Sequence, residues 1–290
     1  MKKGILYSVI TAILFVTLEP VSKLIANDVN PYAITFWRFL IGGIIILPFA
    51  VSKVKKSKVK IALKDFVLIS LWGILFICIS MISLQIAVKM AESPSIIAIT
   101  FSSNSIFTII FAVLILKEKL TKNKIVALVL GIIGVIFCAD FSSGTNLESV
   151  LLALFSAVTF SLYTVQSRKY VKKYGSFVQS CLVFFSGSIV LLIALLILGI
   201  DVTFTASPNV ILTLCYIGTL VTGIGYICYF VAIEKGGPIM ASLAFFIKPI
   251  LTPFVALVVN NIVPDYKVFL AVIFIVGASY FATYKKEKVK

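Results

Sequence analysis

The sequence predicts an all-α membrane protein: ten transmembrane helices arranged as two inverted five-helix repeats, with both termini in the cytoplasm. Three observations predict it. Of the 290 residues, 61% are hydrophobic types, only 13% are charged, and mean hydropathy is +1.14. A soluble domain carries roughly 25% charged residues, so a chain this apolar needs lipid as part of its solvent. The net charge of +15 falls in short lysine runs between long apolar segments, a pattern of membrane orientation rather than a nucleic-acid surface. Finally, the chain resembles itself at an offset near 144 residues.

The spans read in order as 4–26, 31–51, 65–88, 94–116, 123–140, 148–168, 176–200, 208–233, 238–260 and 266–284. Span 1 follows Lys2 and Lys3 like a signal peptide, but it lacks a small-residue cleavage site and is long enough to cross, so it counts as the first helix. Pro31, Pro94, Pro208 and Pro238 stand at or next to helix starts, where a missing N–H costs nothing.

Orientation follows from Lys and Arg. With the N-terminus inside, the inner segments hold 21 of the 26 basic residues, in runs around Lys53–Lys64, Lys117–Lys124, Arg168–Lys173 and the C-terminal tail. The outer loops hold Asp28, Glu92, Asp140, Glu148, Asp201 and Asp265.

The repeat shows where "TAILFVTLEPVSK" (11–23) aligns with "SAVTFSLYTVQSR" (156–168), matching Phe15 to Phe160, Ser22 to Ser167 and Lys23 to Arg168. "KEKLTKNKIVALVLGIIGV" aligns with "NNIVPDYKVFLAVIFIVGA" in the same way. Each half has an odd number of spans, so the second enters from the opposite face, and the site is expected near mid-membrane between the halves. The expected units are residues 1–141 and 142–290.

Several chemistries are excluded. There is no His, hence no His-based relay, metal site or Ser-His nucleophile. No GxxxxGK loop occurs, so ATP hydrolysis by a P-loop is absent. The cysteines lie in apolar segments without a CxxC and read as small buried hydrophobes. No acid/base pair suggests an enzyme, and no cofactor is implied.

What remains is two dipeptides. Glu19–Pro20 and Lys248–Pro249 each put a charge beside a helix breaker deep in a span. A charge at a helix centre costs about 2.5–3.5 kcal/mol on insertion scales, and proline frees a backbone carbonyl and kinks the helix. Two accounts fit: a polar cavity near mid-membrane with helix breaks beside it, or a permanent ion pair that fixes packing. Polar stripes at helical spacing add Tyr163 on span 6, Tyr226 and Tyr229 on span 8, Gln85 on span 3 and Asn104 in the cluster of span 4. Most Ser and Thr on these stripes read as interhelical glue. So do Gly131, Gly134, Gly223 and Gly225 as packing points. Arg38 reads as an outer-interface residue, snorkelling or bonding helix-end carbonyls, and Glu118 as an ion-paired residue at an inner helix end.

Three motifs carry a family resemblance: "FWRFLIGG" with Arg38, "LKEKLTKNKIVALVLGIIGV" with Glu118, and "GIGYICYFVAIEKGGP" leading into "FFIKPILTPFVALVV". Over nearly the whole chain the sequence resembles the drug/metabolite transporter superfamily, specifically EamA-type proteins with two five-helix repeats. Lys117 stands where the family usually has a glycine before Glu118, and Asn261 where the second repeat would have that Glu. The resemblance implies export of amino acids and metabolites.

The expected function is a secondary transporter of the inner membrane moving a small charged or zwitterionic metabolite by alternating access. Glu19 would take an ammonium or a coupling proton, Lys248 a carboxylate or phosphate, and the tyrosines an apolar part. The alternative is an organic-cation or drug exporter in which Glu19 and an aromatic cage bind the cation and Lys248 is structural. The expected partners are the substrate and the bilayer, with no nucleic acid, and the protein is a monomer or homodimer. In a background without other cysteines, Ser57→Cys should be labelled only from the cytoplasm and Thr145→Cys only from outside. Labelling of both from one side would remove the inverted-repeat topology.

Overall fold

The structure, a computed structural model, describes residues 2–57, 60–119, 121–138, 146–204, 206–264 and 266–283. Asp140, Thr145, Asp265 and the C-terminal lysines lie outside the described residues. The helices are α1 (Lys3–Leu24), α2 (Pro31–Ser57), α3 (Leu63–Met90), α4 (Pro94–Leu116), α5 (Lys122–Cys138), α6 (Leu147–Tyr174), α7 (Ser176–Ile197), α8 (Pro208–Gly236), α9 (Pro238–Asn260) and α10 (Tyr266–Thr283). Eight, all but α5 and α10, are long and apolar enough among the described residues to cross a membrane. α5 has 17 residues, the described apolar core of α10 is Val268–Ala278, and the two lie along each other. The four prolines do start their helices. α2 and α6 run past their expected ends because Lys, Ser and Tyr turns such as Lys53–Ser57 and Lys169–Tyr174 carry the helix beyond the apolar stretch at little cost in propensity.

Helix irregularities recur in the two halves. α3 widens into a π-helical segment at Leu75–Met81, and α8 does so at Ile217–Ile224. α4 is interrupted at Ser103, and α9 at Ser242–Leu243. α4 ends on Lys117 and α9 on Asn261, the two described non-glycine residues with positive φ, at 53° and 55°. These are 144 positions apart, so the backbone equates Asn261 with Lys117, one residue off the sequence alignment that set it against Glu118. The left-handed conformation also explains the glycine usual at that place, since an L side chain there crowds the following carbonyl.

Packing repeats as well. α1 lies on α8 as α6 lies on α3; α2 contacts α8 as α7 contacts α3; α9 contacts α1 as α4 contacts α6. α2–α7 and α4–α9 pair across the halves. Helix approach is closest at glycines: a Cβ on Gly42 would lie 3.2 Å from the Gly223 nitrogen, and on Gly131 2.0 Å from Ile106 Cδ1, as the packing reading of these residues expects.

The bundle has two distinct ends. At one, Glu118 bonds Lys124 and Arg168 at 3.2 Å each, and Asp65 takes Lys173 at 2.5 Å and the Tyr174 hydroxyl at 2.6 Å. This basic end is where α1 starts and α6 finishes. At the far end Lys23 Nζ donates to the carbonyls of Val88, Lys89 and Ala91 at 3.2, 3.0 and 2.5 Å. There a cavity of about 150 Å³ is lined by Glu92, Ser93, Asn146, Ser149 and Pro264. α1 and α6 therefore run in opposite directions.

Large apolar side chains such as Leu114, Leu196 and Val258 face outward, as a lipid-solvated surface requires. Of the described cysteine side chains, Cys181 and Cys228 are buried, but Cys78 is half-buried and Cys215 is exposed on the outer face of α8. The reading of all five as buried hydrophobes thus fails at Cys215, whose hydrophobicity is equally served by lipid. At Lys117, a β-branched side chain would meet the left-handed backbone worst. Lys117→Val should lower stability by about 1–2 kcal/mol, while Lys117→Gly should hold or raise the melting temperature in detergent. Equal effects of the two would contradict this assignment.

Candidate functional site

Glu19 lies just beyond a break in α1. The chain turns at Val16–Thr17 before resuming as Leu18–Leu24. The cause is Pro20, which has no N–H to offer the Val16 carbonyl four residues back. Lys248 follows the break in α9, within Ala244–Asn260, with Pro249 and Pro253 behind it. The two breaks bring the side chains together. Lys248 Nζ donates to Glu19 Oε1 at 2.5 Å, and both side chains are fully buried. The bond joins a helix of the first half to a helix of the second. It is backed at the far end by Asn260, whose amide donates to the Pro20 carbonyl at 3.0 Å.

Aromatic rings wall the pair on its other sides. Lys248 Nζ sits 5.4 Å from the Phe101 ring centroid and 6.0 Å from that of Phe245, a range in which the ring face attracts a cation. Phe245 packs on Phe15, Phe160 and Tyr229. Tyr226 contacts Phe15 at 4.7 Å, Phe76 at 5.3 Å and Phe39 at 5.8 Å, and its hydroxyl meets Met81 Sδ at 3.3 Å. The Tyr229 hydroxyl pairs with Thr164 at 3.0 Å. Tyr163 stacks on Phe76 at 4.6 Å, and its buried hydroxyl faces the Gln179 amide without a well-formed hydrogen bond. Asn104 stands just past the α4 break, donating to the Phe101 carbonyl at 2.8 Å, with Oδ1 unpartnered. Gln85, one turn beyond Met81 on α3, buries an unpartnered amide nitrogen. The second oxygen of Glu19 is unpartnered too. Buried polar atoms are normally hydrogen-bonded, so these orphans mark the cluster as unlike ordinary core.

Several other polar residues of these helices are hydrogen-bonded, although the buried Ser22 and Thr222 hydroxyls are not. Ser8 bonds the carbonyls of Gly4 and Met240, Ser80 and Ser156 bond each other, and Thr159 and Thr219 bond back into their own helices. They are the glue that the sequence suggests.

Arg38 is a correction. It is fully buried and bonds no helix-end carbonyl; its polar neighbour is the Tyr226 hydroxyl, and none of its three guanidinium nitrogens makes a well-formed hydrogen bond. Its guanidinium carbon lies 4.5 Å from the Phe39 ring centroid, within Coulombic reach of Glu19, Tyr226 and Lys248. The sequence did carry a signal: Arg38 and Gly42 are one turn apart, so they share the face that Gly42 presses against α8.

Residues 2–139 and 147–284 each match the EamA-like transporter family. The chain belongs to that family. It is a multi-pass membrane transporter of the drug/metabolite superfamily, not an enzyme. An uncharacterised transporter of Clostridium kluyveri is 37% identical over 288 residues, covering 96% of this chain and 92% of that one. An S-adenosylmethionine uptake transporter of Rickettsia prowazekii is 25% identical over 155 residues, 53% of this chain and 51% of the relative. A solved structure superposes with a TM-score of 0.74 at 18% identity over 98% of this chain and 97% of that one, which shows the shared fold.

Within this EamA-like bundle, removing one partner of the pair strands a buried charge. Glu19→Gln and Lys248→Met should each cost about 3–5 kcal/mol of stability, and the double variant should recover most of it. Three melting curves beside wild type decide this. Singles as stable as wild type would mean that the pair is hydrated rather than dry.

Proposed function

We propose that the protein is a secondary transporter that moves a small charged or zwitterionic metabolite, an amino acid or related compound, out of the cell by alternating access. Its ten helices cross the cytoplasmic membrane with both termini inside. The halves, residues 1–141 and 142–290, rock about a central site as a monomer or homodimer. The observation that carries this reading is the buried Glu19–Lys248 bond, made between the halves at the breaks of two helices. A substrate ammonium competes for Glu19 and a carboxylate or phosphate for Lys248, so a zwitterion can open the pair while leaving neither charge alone. Glu19 also offers a place for a coupling proton, and Tyr163, Tyr226 and Tyr229 flank the apolar part of the substrate, with Asn104 and Gln85 supplying polar contacts. The concentration of basic residues at one end of the bundle supports the orientation.

The Rickettsia prowazekii relative supports the substrate class, because S-adenosylmethionine ends in an amino-acid group bearing both charges. It is named for uptake, so direction is a separate arm of the test. The rings around Lys248 favour a second reading, transport of an organic cation, with Lys248 structural.

Uptake and counterflow in proteoliposomes, with amino acids, organic cations and phosphorylated metabolites and with or without a pH gradient, separates these. Amino acids should exchange, and Glu19→Gln/Lys248→Met should be folded but inactive. Transport of organic cations alone would select the second reading. A double variant transporting at the wild-type rate would remove the pair from the site.

A further inference from the structure

We propose that Arg38 is a second anion anchor of this transport site: its guanidinium shares the substrate carboxylate with Lys248, while Glu19 takes the ammonium. The proposal rests on the reading of Glu19–Lys248 as the site. It starts from an imbalance. The buried cluster holds one carboxylate and two cations, and the carboxylate is engaged with Lys248. Arg38 is left with five N–H donors, no exposure, no well-formed hydrogen bond and the Tyr226 oxygen beside it.

A buried lysine can escape such a position by losing its proton. Arginine cannot, because it stays charged in proteins. The Phe39 ring under the guanidinium attracts the cation but satisfies none of its donors. The Tyr226 hydroxyl donates to Met81, and its oxygen faces the guanidinium, which leaves the rest of the fork open. The protein thus maintains an unsatisfied cation whose planar fork matches a carboxylate. Phe39 lies against the fork, and Phe39 is itself packed by Phe76, Phe184 and Tyr226. A pre-set, desolvated donor array that costs stability in the empty protein is what a binding group looks like.

The competing explanation is structural: Arg38 serves only as a second counter-charge for Glu19, whose Oε2 is also unpartnered. The two differ in sign. A structural counter-charge stabilises the ligand-free protein, whereas an anchor strains it.

The test uses the purified full chain in detergent and three probe sets: the twenty amino acids, their decarboxylated amines, and short carboxylates lacking the amine. Thermal stability is read against probe concentration for wild type, Arg38→Gln and Arg38→Lys. Carboxylate-bearing probes should stabilise wild type, and Arg38→Gln should weaken them by roughly 10- to 100-fold while leaving the amines unchanged. Arg38→Lys, which keeps the charge without the fork, should fall between. Ligand-free Arg38→Gln should melt no lower than wild type.

The proposal is overturned if no carboxylate stabilises wild type, if both variants bind carboxylates as wild type does, or if ligand-free Arg38→Gln unfolds while Arg38→Lys binds normally. Amines that bind alone, through Glu19, would sink the anchor and spare the central site. Carboxylates bound through Arg38, beside a Glu19→Gln/Lys248→Met variant that transports normally, would spare the anchor and sink the pair.

Discussion

A carboxylate and an ammonium in contact, sealed from solvent in the middle of an apolar bundle, constrain everything around them. Neither charge can be left alone in that medium, so α1 and α9 must meet at one depth and one rotation. Continuous helices would carry both groups past each other or toward lipid. The breaks at Val16–Thr17 and Ser242–Leu243 supply the adjustment, and the prolines that follow make regular helix unfavourable there. The aromatic wall then follows from the charges, since ring faces are the apolar surface that best tolerates an ammonium.

The remaining irregularities serve the same centre. Wide turns in α3 and α8 flank the aromatic cluster and rotate Met81 and Tyr226 into one another. Gly42 and Gly223 let α2 approach α8, which puts Arg38 on the inner face and seals it from lipid. Each device occurs at a crossing of helices from different halves, so the seam between the repeats is also where the polar atoms without partners collect.

Much of this is legible in the sequence because the bilayer makes the code simple. Apolar length and lysine runs locate the helices, and the only charges deep in spans 1 and 9 are the two that pair. What escaped depended on rotation about a helix axis. Arg38 lies a short way in from Pro31 and was consistent with snorkelling by depth alone; its burial is decided by the face it shares with Gly42. Thr219 belongs to the same 3.6-residue stripe as Tyr226, yet the π segment of α8 shifts the phase between them, and Thr219 bonds back to Cys215. The offset of Asn261 from Glu118 was likewise a matter of one residue, visible in φ and not in side-chain chemistry.

Lys23 and Arg168 occupy the same place in their repeats but opposite ends of the bundle. Lys23 grips three carbonyls at the close of α3. Arg168 lies against Gly237, just past the close of α8, yet its guanidinium bonds Glu118 instead. Perfect two-fold symmetry would make the grips alike. They are not alike: Lys23 is bonded to carbonyls with Glu92 within Coulombic reach, whereas Arg168 is bonded to Glu118. In the backbone register Glu118 stands against Ile262, so the charge that occupies Arg168 in one half is replaced by an apolar side chain in the other.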